Sequence, residues 1–154
     1  MNAMSETNEM RGKVVVVSGG FDPVHIGHVR MFEEAKALVG AKGRLVVVLN
    51  CDAWLIRKKG KAFMLQDDRA EIIRAFACVD DVYILESDRN DVGEALEHIK
   101  PHIFANGGDR RNTEDIPEAV VCEQYGIEMV FNIGEGGKIR SSSELLRNYL
   151  GKNV

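Results

Sequence analysis

The chain has 154 residues, of which 45% are hydrophobic and 29% charged, and this is the composition of one compact globular domain. Its net charge of −4 and its lack of a basic stripe argue against a nucleic-acid partner, and no apolar run approaches the ~20 residues that cross a bilayer. The three cysteines, at 51, 78 and 122, form no CxxC pair, so neither a disulfide framework nor a cysteine zinc site is indicated.

The first eleven residues are polar and lack the apolar core of a secretory signal. We therefore expect a loose tail at 1–11, followed by one domain at 12–154. Together with the unpaired cysteines, this N-terminus predicts a cytoplasmic protein that keeps its thiols reduced.

Strand and helix patterns alternate along the rest of the chain. Four valines at 14–17 predict a strand covered on both faces, apolar residues at helical spacing follow at 26–39, and LVVVL at 45–49 predicts a second buried strand. The later elements are expected, in chain order, as helix 66–78, strand 81–86, helix 92–99, strand 102–105, helix 116–125, strand 127–131 and helix 142–150. This alternation predicts an α/β fold, namely a single-domain, Rossmann-like, doubly wound parallel sheet of five strands.

The segment GGFDPVHIGH (19–28) lies between the first strand and the first helix, where open α/β sheets bind ligands. Glycines let a ligand approach the backbone closely, and the following helix offers its positive N-terminal end to an anion. The segment contains neither the GxxxxGK[ST] of a P-loop nor GxGxxG. It therefore predicts a phosphate or nucleotide site of another kind.

Two histidines three positions apart, His25 and His28, place both imidazoles on one face of the helix start, and Gly27 keeps that face open. Imidazoles at a positive helix end can donate hydrogen bonds to phosphate oxygens without a metal. Two alternatives stay open: the pair could supply two ligands of a metal site, which needs more ligands than two, or the histidines could only pack.

GGFDPVHIGH resembles the HxGH signature of the nucleotidyltransferase superfamily, whose members share a cytidylyltransferase-like, HUP-type fold. The second signature of that superfamily is a Ser/Thr-rich turn before the last helix, and RSSSELL (140–146) stands in the matching place. The resemblance therefore runs from about residue 14 to residue 150.

Shorter segments indicate which members of the superfamily this chain resembles most. NCDA (50–53), followed by KKG (58–60), and KPHIFANGGD (100–109) look like segments of heptose-1-phosphate adenylyltransferases. Glycerol-3-phosphate cytidylyltransferases are similar too, but they carry an arginine five positions before the first serine of the Ser/Thr turn, where this chain has Gly136.

The resemblance implies an enzyme that transfers a nucleoside monophosphate from a nucleoside triphosphate to a phosphorylated small molecule, with release of pyrophosphate. ATP is the expected donor and a sugar phosphate such as heptose 1-phosphate the expected acceptor. The acceptor phosphate would attack the α-phosphorus directly. Mg²⁺ is expected with the triphosphate, held mainly by phosphates and water rather than by a cage of carboxylates. Cytidylyl transfer to glycerol 3-phosphate, adenylylation of FMN or pantetheine phosphate, and a non-catalytic nucleotide sensor are the alternatives. Members of the superfamily often pair, which leaves a homodimer open.

The resemblance also implies three groups of site residues. The catalytic group is His25, His28 and Lys59. The nucleotide-binding group is Gly19, Gly20, Phe21, Gly27, Asn106, Gly108, Asp109, Ser141, Ser142 and Ser143. The group for the acceptor substrate is Asp52, Lys58, Arg69 and Arg110.

Some of these residues also have structural interpretations. Lys58 and Lys59 are expected on a mobile loop after the second strand, and Arg69 could brace that loop instead of touching phosphate. Asp22 is expected to shape the turn before Pro23. Ser141 also suits the N-cap of the last helix.

Overall fold

Runs of valine and leucine form the inner strands of a parallel five-stranded sheet in the computed structural model, which describes residues 12–107, 116–134 and 140–151. The strands are β1 (Val14–Gly19), β2 (Arg44–Asn50), β3 (Asp81–Leu85), β4 (Ile103–Gly107) and β5 (Glu128–Ile133). Their order in the sheet is β3-β2-β1-β4-β5. The predicted tail at 1–11 and the predicted site residues Gly108, Asp109 and Arg110 lie outside the described residues.

Helices connect these strands. They are α1 (Ile26–Val39), α2 (Asp52–Lys59), α3 (Gln66–Arg74), α4 (Gly93–Ile99), α5 (Ala119–Tyr125) and α6 (Ser142–Tyr149). Among the described residues, no helix combines the length and the apolar character that a membrane crossing needs. The predicted fold class, a doubly wound α/β sheet of the Rossmann type, is confirmed.

Alternate residues of the inner strands pack into two separate cores, because successive side chains of a strand point to opposite faces. Val15 and Val17 lie in the core beneath α1 and α3, together with Phe32. Val16 lies in the core on the other face, beneath α4 and α5, together with Phe104. Helices on both faces explain why the first two strands are valine and leucine runs without polar alternation.

The prediction of a loop after β2 is wrong, because this segment forms the helix α2. Leu55 is its one fully buried side chain, and the charged run at 57–59 occupies its last turn. Gly60 ends the helix with a left-handed φ of 89° and donates its N–H to the carbonyl of Ile56. One apolar anchor in eight residues gives too weak a period to be recognised from the sequence.

Two further helices differ from the predicted bounds. Helix α3 ends at Arg74 rather than at residue 78, and α5 begins at Ala119 rather than at residue 116. In both places apolar side chains outside the helix join the core, since Phe76 packs beneath α3 and Ile116 is buried beneath α5. Such side chains extend a helical pattern without extending the helix.

All three cysteines carry free thiols. Burial raises the pKa of the Cys122 thiol to about 11, helped by the nearby Glu118, and burial also raises the pKa of Cys78. These thiols therefore stay protonated at neutral pH, as expected of packing residues rather than nucleophiles.

Candidate active site

A cavity of about 500 Å³ opens at the carboxyl edge of the sheet, where β1 and β4 lie side by side. Chain connections run in opposite directions from these two strands, which is the place where ligands bind in doubly wound folds. Most described members of the predicted site line this cavity: Gly19, Gly20, Phe21, His25, Gly27, His28, Lys59, Asn106, Ser141, Ser142 and Ser143. The described members outside the lining are Asp52, Lys58 and Arg69.

The turn after β1 is built around the buried ring of Phe21. Phe21 adopts a left-handed φ of 52°, and its ring meets the imidazole of His28 edge-on at 4.8 Å between centroids. A Cβ at Gly19 would lie 2.9 Å from this ring, so a side chain there would push the ring away. The first glycine of the motif is therefore required to seat Phe21 under His28.

The two histidines form a capping box at the start of α1. The Nδ1 of His25 accepts from the Gly27 N–H, and the backbone N–H of His25 donates to the Nδ1 of His28, both at 3.1 Å. The rings are stacked, with centroids 3.7 Å apart. Because both Nδ1 atoms accept, the hydrogen-bond pattern assigns the ring proton of each neutral imidazole to Nε2. Both rings line the cavity with a fixed orientation and an Nε2–H donor.

Gly27 is the second glycine of the motif at which a side chain would meet a steric conflict. A Cβ there would lie 3.0 Å from Cε1 of His25, because that ring folds back over the first turn of α1. A side chain at this position would therefore crowd the His25 ring, whereas the role of Gly27 toward a nucleotide stays a prediction.

The N-terminus of α6 meets the same cavity. The Oγ of Ser141 accepts from the N–H of Glu144 at 3.4 Å, which confirms the predicted cap. The Oγ of Ser142 donates to the carbonyl of Pro23 at 2.7 Å and ties α6 to the turn before α1. Two helix N-termini and their backbone N–H groups therefore converge on one cavity, an arrangement that favours an anion.

Asp22 holds the segment before α3 against the turn before α1. Its buried carboxylate accepts from the N–H groups of Phe63 and Met64, at 2.6 and 2.7 Å. Asp22 therefore has a structural role, as expected, and its carboxylate joins the turn before Pro23 to the segment before α3.

Arg69 does not lie where an acceptor-binding residue was expected. Its guanidinium is fully buried and lies outside the cavity lining. It donates to the carbonyls of Gly20, Asn50 and Met64, at 2.7 to 2.8 Å, and to the Asp52 carboxylate at 2.8 Å. These bonds join the ends of β1 and β2 to α2 and to the segment before α3. Arg69 therefore braces the segments that border the cavity, which is the second of its two expected roles.

The other two acceptor-binding predictions that fall on described residues also change. Asp52 pairs with Arg69 and lies outside the cavity lining. The Nζ of Lys58 lies over the Trp54 ring, 5.8 Å from its centroid, and also outside the lining, whereas Lys59 and the Trp54 side chain line the cavity. Neighbouring residues of a helix point in different directions, so only one of the two lysines reaches the cavity.

Several polar residues of the lining were missed by the sequence analysis. They are Ser18, Asn50, Asn90, Asp91, Glu118 and Arg140. The sequence contained a signal for two of them. Ser18 and Asn50 follow the apolar runs of buried strands, at positions where a continued run would have another apolar residue. Within the described residues, no group of three or more histidine, cysteine or acidic side chains is placed to hold a metal ion.

Comparisons with known proteins identify relatives of this chain. Residues 16–132 match the model of the family described as cytidylyltransferase-like. The bifunctional protein HldE of Pelobacter propionicus is 39% identical over 135 residues, which cover 81% of this chain and 25% of that protein. The FAD synthase of Methanothermobacter thermautotrophicus is 36% identical over 99 residues, 64% of each chain.

A solved structure has a similar fold. The lipopolysaccharide core biosynthesis protein of Thermoplasma volcanium aligns with a TM-score of 0.65 and 26% identity, over 79% of this chain and 97% of its own. In contrast, the chain spans about a quarter of the length of the HldE relatives that it matches.

Proposed function

This chain belongs to the cytidylyltransferase-like family, and on that premise we propose that it transfers the nucleoside monophosphate of ATP to a phosphorylated sugar and releases pyrophosphate. The observation that carries the proposal is the convergence of the stacked imidazoles of His25 and His28 with the N-termini of α1 and α6 on one cavity. Such an arrangement stabilises negative charge without a protein nucleophile, as direct phosphoryl-type transfer requires.

The proposed reaction is an in-line displacement at the α-phosphorus. A phosphate oxygen of the acceptor forms a bond to that phosphorus while the bond to the pyrophosphate oxygen breaks. The Nε2–H groups of His25 and His28 donate to the α-phosphate oxygens as negative charge accumulates there. The hydroxyl of Ser143 and the first N–H groups of α6 hold the β- and γ-phosphates.

Mg²⁺ would enter with the triphosphate. The described residues at the two helix N-termini offer imidazole, hydroxyl and N–H groups rather than a cluster of carboxylates. This donor set fits an ion held by phosphates and water. Bound there, Mg²⁺ would neutralise part of the polyphosphate charge.

The sugar acceptor is supported by the segments at 50–53 and 100–109 and by the similarity to the HldE proteins. A second candidate, adenylyl transfer to FMN, is favoured by the similarity to a protein named FAD synthase. Gly136, in the place of an arginine, weighs against cytidylyl transfer to glycerol 3-phosphate. The homodimer and the cytoplasmic location stay predictions of the sequence.

The deciding experiment measures pyrophosphate release with ATP, CTP, GTP and UTP, each against heptose 1-phosphate, mannose 1-phosphate, glycerol 3-phosphate, FMN and 4′-phosphopantetheine. We expect release with ATP and a sugar phosphate. Release with FMN would establish the second candidate. Nucleotide binding without release from any pair would identify a nucleotide sensor.

Lys59→Ala is expected to lower kcat/KM for the nucleotide by about tenfold or more, because a hydrogen bond to a charged group contributes roughly 1.5–3 kcal/mol. Lys58→Ala is the matched comparison, since Lys58 is the preceding residue of the same helix but lies outside the cavity lining. Steady-state kinetics of the two variants test the assignment. Equal losses would show that only the net charge of α2 matters.

A further inference from the structure

A row of polar side chains crosses the sheet at its carboxyl edge, on the face covered by α4 and α5. In β1, β2 and β4 the apolar residues of that face are Val16, Val46 and Val48, and Phe104. Two positions beyond the last of these in each strand, on the same face because of the period of two, stand Ser18, Asn50 and Asn106. All three line the cavity, and they constitute what we call the polar row.

Asn50 is the member of this row that points most clearly to a ligand. Its side chain is buried, with 5% of the residue exposed, and it lines the cavity. Its backbone carbonyl accepts from Arg69, but among the described residues its carboxamide makes no hydrogen bond. Asn106, in contrast, donates its amide N–H to the carbonyl of Phe104. Because no buried side-chain nitrogen or oxygen of the described residues lacks a hydrogen-bond partner, the unbonded carboxamide of Asn50 is open to the cavity, where a ligand can bond it.

Carboxylates line the same part of the cavity. Glu118 has 2% of its surface exposed and accepts from the N–H of Val92 at 3.2 Å. Asp91 accepts from the N–H of Gly93 at 2.8 Å and from Arg89 at 3.0 Å. Protein contacts therefore hold both carboxylates at the lining, where carboxylate oxygens can accept from the hydroxyl groups of a ligand.

The in-line geometry assigns this part of the cavity to the acceptor. The bond between Ser142 and Pro23 holds the N-terminus of α6 beside the turn before α1, so the proposed pyrophosphate lies there. The acceptor must approach the α-phosphorus from the opposite side. Asn50, at the end of β2, and the segment 90–92, which follows β3, lie on the other half of the sheet from β4 and β5, which lead to α6.

We propose that Asn50 and Glu118 determine acceptor specificity by hydrogen-bonding the hydroxyl groups of a polyhydroxylated acceptor, and this inference rests on the proposed nucleotidyl transfer. A carboxamide and a carboxylate together donate to and accept from adjacent hydroxyls. Trp54 also lines the cavity, and its aromatic side chain can pack against the C–H groups of a sugar. A site built to bond hydroxyls discriminates strongly against analogues that lack them, because its buried polar groups are then left unpaired.

The test compares kcat/KM for the best sugar phosphate of the panel with kcat/KM for its monodeoxy analogues, in the wild type and in two variants. Asn50→Ala removes the carboxamide, and Glu118→Gln keeps an oxygen that can accept from Val92 while removing the charge. We expect each variant to lower kcat/KM for the hydroxylated acceptor by about tenfold or more, and to leave kcat/KM for one deoxy analogue nearly unchanged. The exposed Asn148, near the end of α6, supplies the control variant Asn148→Ala.

Two further readouts keep the inference separate from the proposed function. Asn50→Ala should keep the wild-type urea midpoint, because no hydrogen bond to a described residue is lost, and it should keep the KM for ATP. If FMN is the preferred acceptor, or if each variant lowers kcat/KM equally for hydroxylated and deoxy acceptors, the inference is wrong while nucleotidyl transfer stands. If the wild type releases no pyrophosphate with any acceptor, the proposed function itself fails and the inference fails with it.

Discussion

His28→Ala is expected to lower kcat by about 10²–10³-fold, which corresponds to the roughly 2.7–4 kcal/mol that one preorganised donor contributes in a transition state. The affinity for ATP should change much less, because charge at the α-phosphate oxygens rises mainly as the acceptor attacks. Single-turnover rates, together with ATP binding by calorimetry, separate the two effects. Equal losses in kcat and affinity would mean that His28 only binds the nucleotide and does not stabilise the transition state.

A second variant, His28→Gln, separates the structural role of His28 from its role in the reaction. The Nδ1 of His28 accepts from the backbone N–H of His25, so alanine also breaks the capping box of α1. Glutamine is the ordinary capping-box residue at this position, and His28→Gln should keep the helix start intact. We expect His28→Gln to unfold at the wild-type urea concentration and still to lose most of kcat. His98→Ala, on α4 against Tyr83, is the control for the loss of an imidazole elsewhere.

Arg69→Met is expected to reduce the free energy of unfolding by about 3–5 kcal/mol, the cost of removing one partner from a buried charged network. Its guanidinium joins three backbone carbonyls and the Asp52 carboxylate, and these groups would lose their donor together. Methionine replaces most of the apolar stem, so the loss should reflect the missing hydrogen bonds rather than a large cavity. Urea unfolding measures the change.

The matched control for this prediction is Arg74→Met, an exposed arginine at the end of the same helix, which should change stability by less than about 0.5 kcal/mol. Arg69→Lys should be nearly as damaging as methionine, because one ammonium group cannot span four acceptors in a fixed planar geometry. A wild-type unfolding energy in Arg69→Met, with weakened acceptor binding, would restore the original prediction that Arg69 binds substrate.

The sequence was informative where one local cause decides the structure. The valine runs of β1 and β2 have no polar alternation, and a strand of that kind must be covered on both faces. The stretch from Gly19 to His28 carries its own constraints, since Gly19 seats Phe21 and Gly27 lies under the ring of His25. Local patterns of this type yielded the fold class, the position of the cavity and most of the predicted site residues that line it.

The positions of Arg69 and of the two lysines of α2 could not be predicted in this way, because they depend on the packing of distant segments. Arg69 is 49 positions from Gly20 and 19 from Asn50, so its burial could not be inferred from the acidic start of α3. Lys58 and Lys59 are adjacent in the sequence, and only the direction of α2 distinguishes them.

The arrangement of residues 19–28 thus followed from a short stretch of sequence, since helix starts and glycine turns depend on neighbours a few residues away. The tertiary structure alone decided that Arg69 supports the site from behind and that Asn50 and Glu118 face the cavity together. The physical reason is that burial and hydrogen-bond pairing belong to the assembled sheet and helices, and no local pattern specifies them.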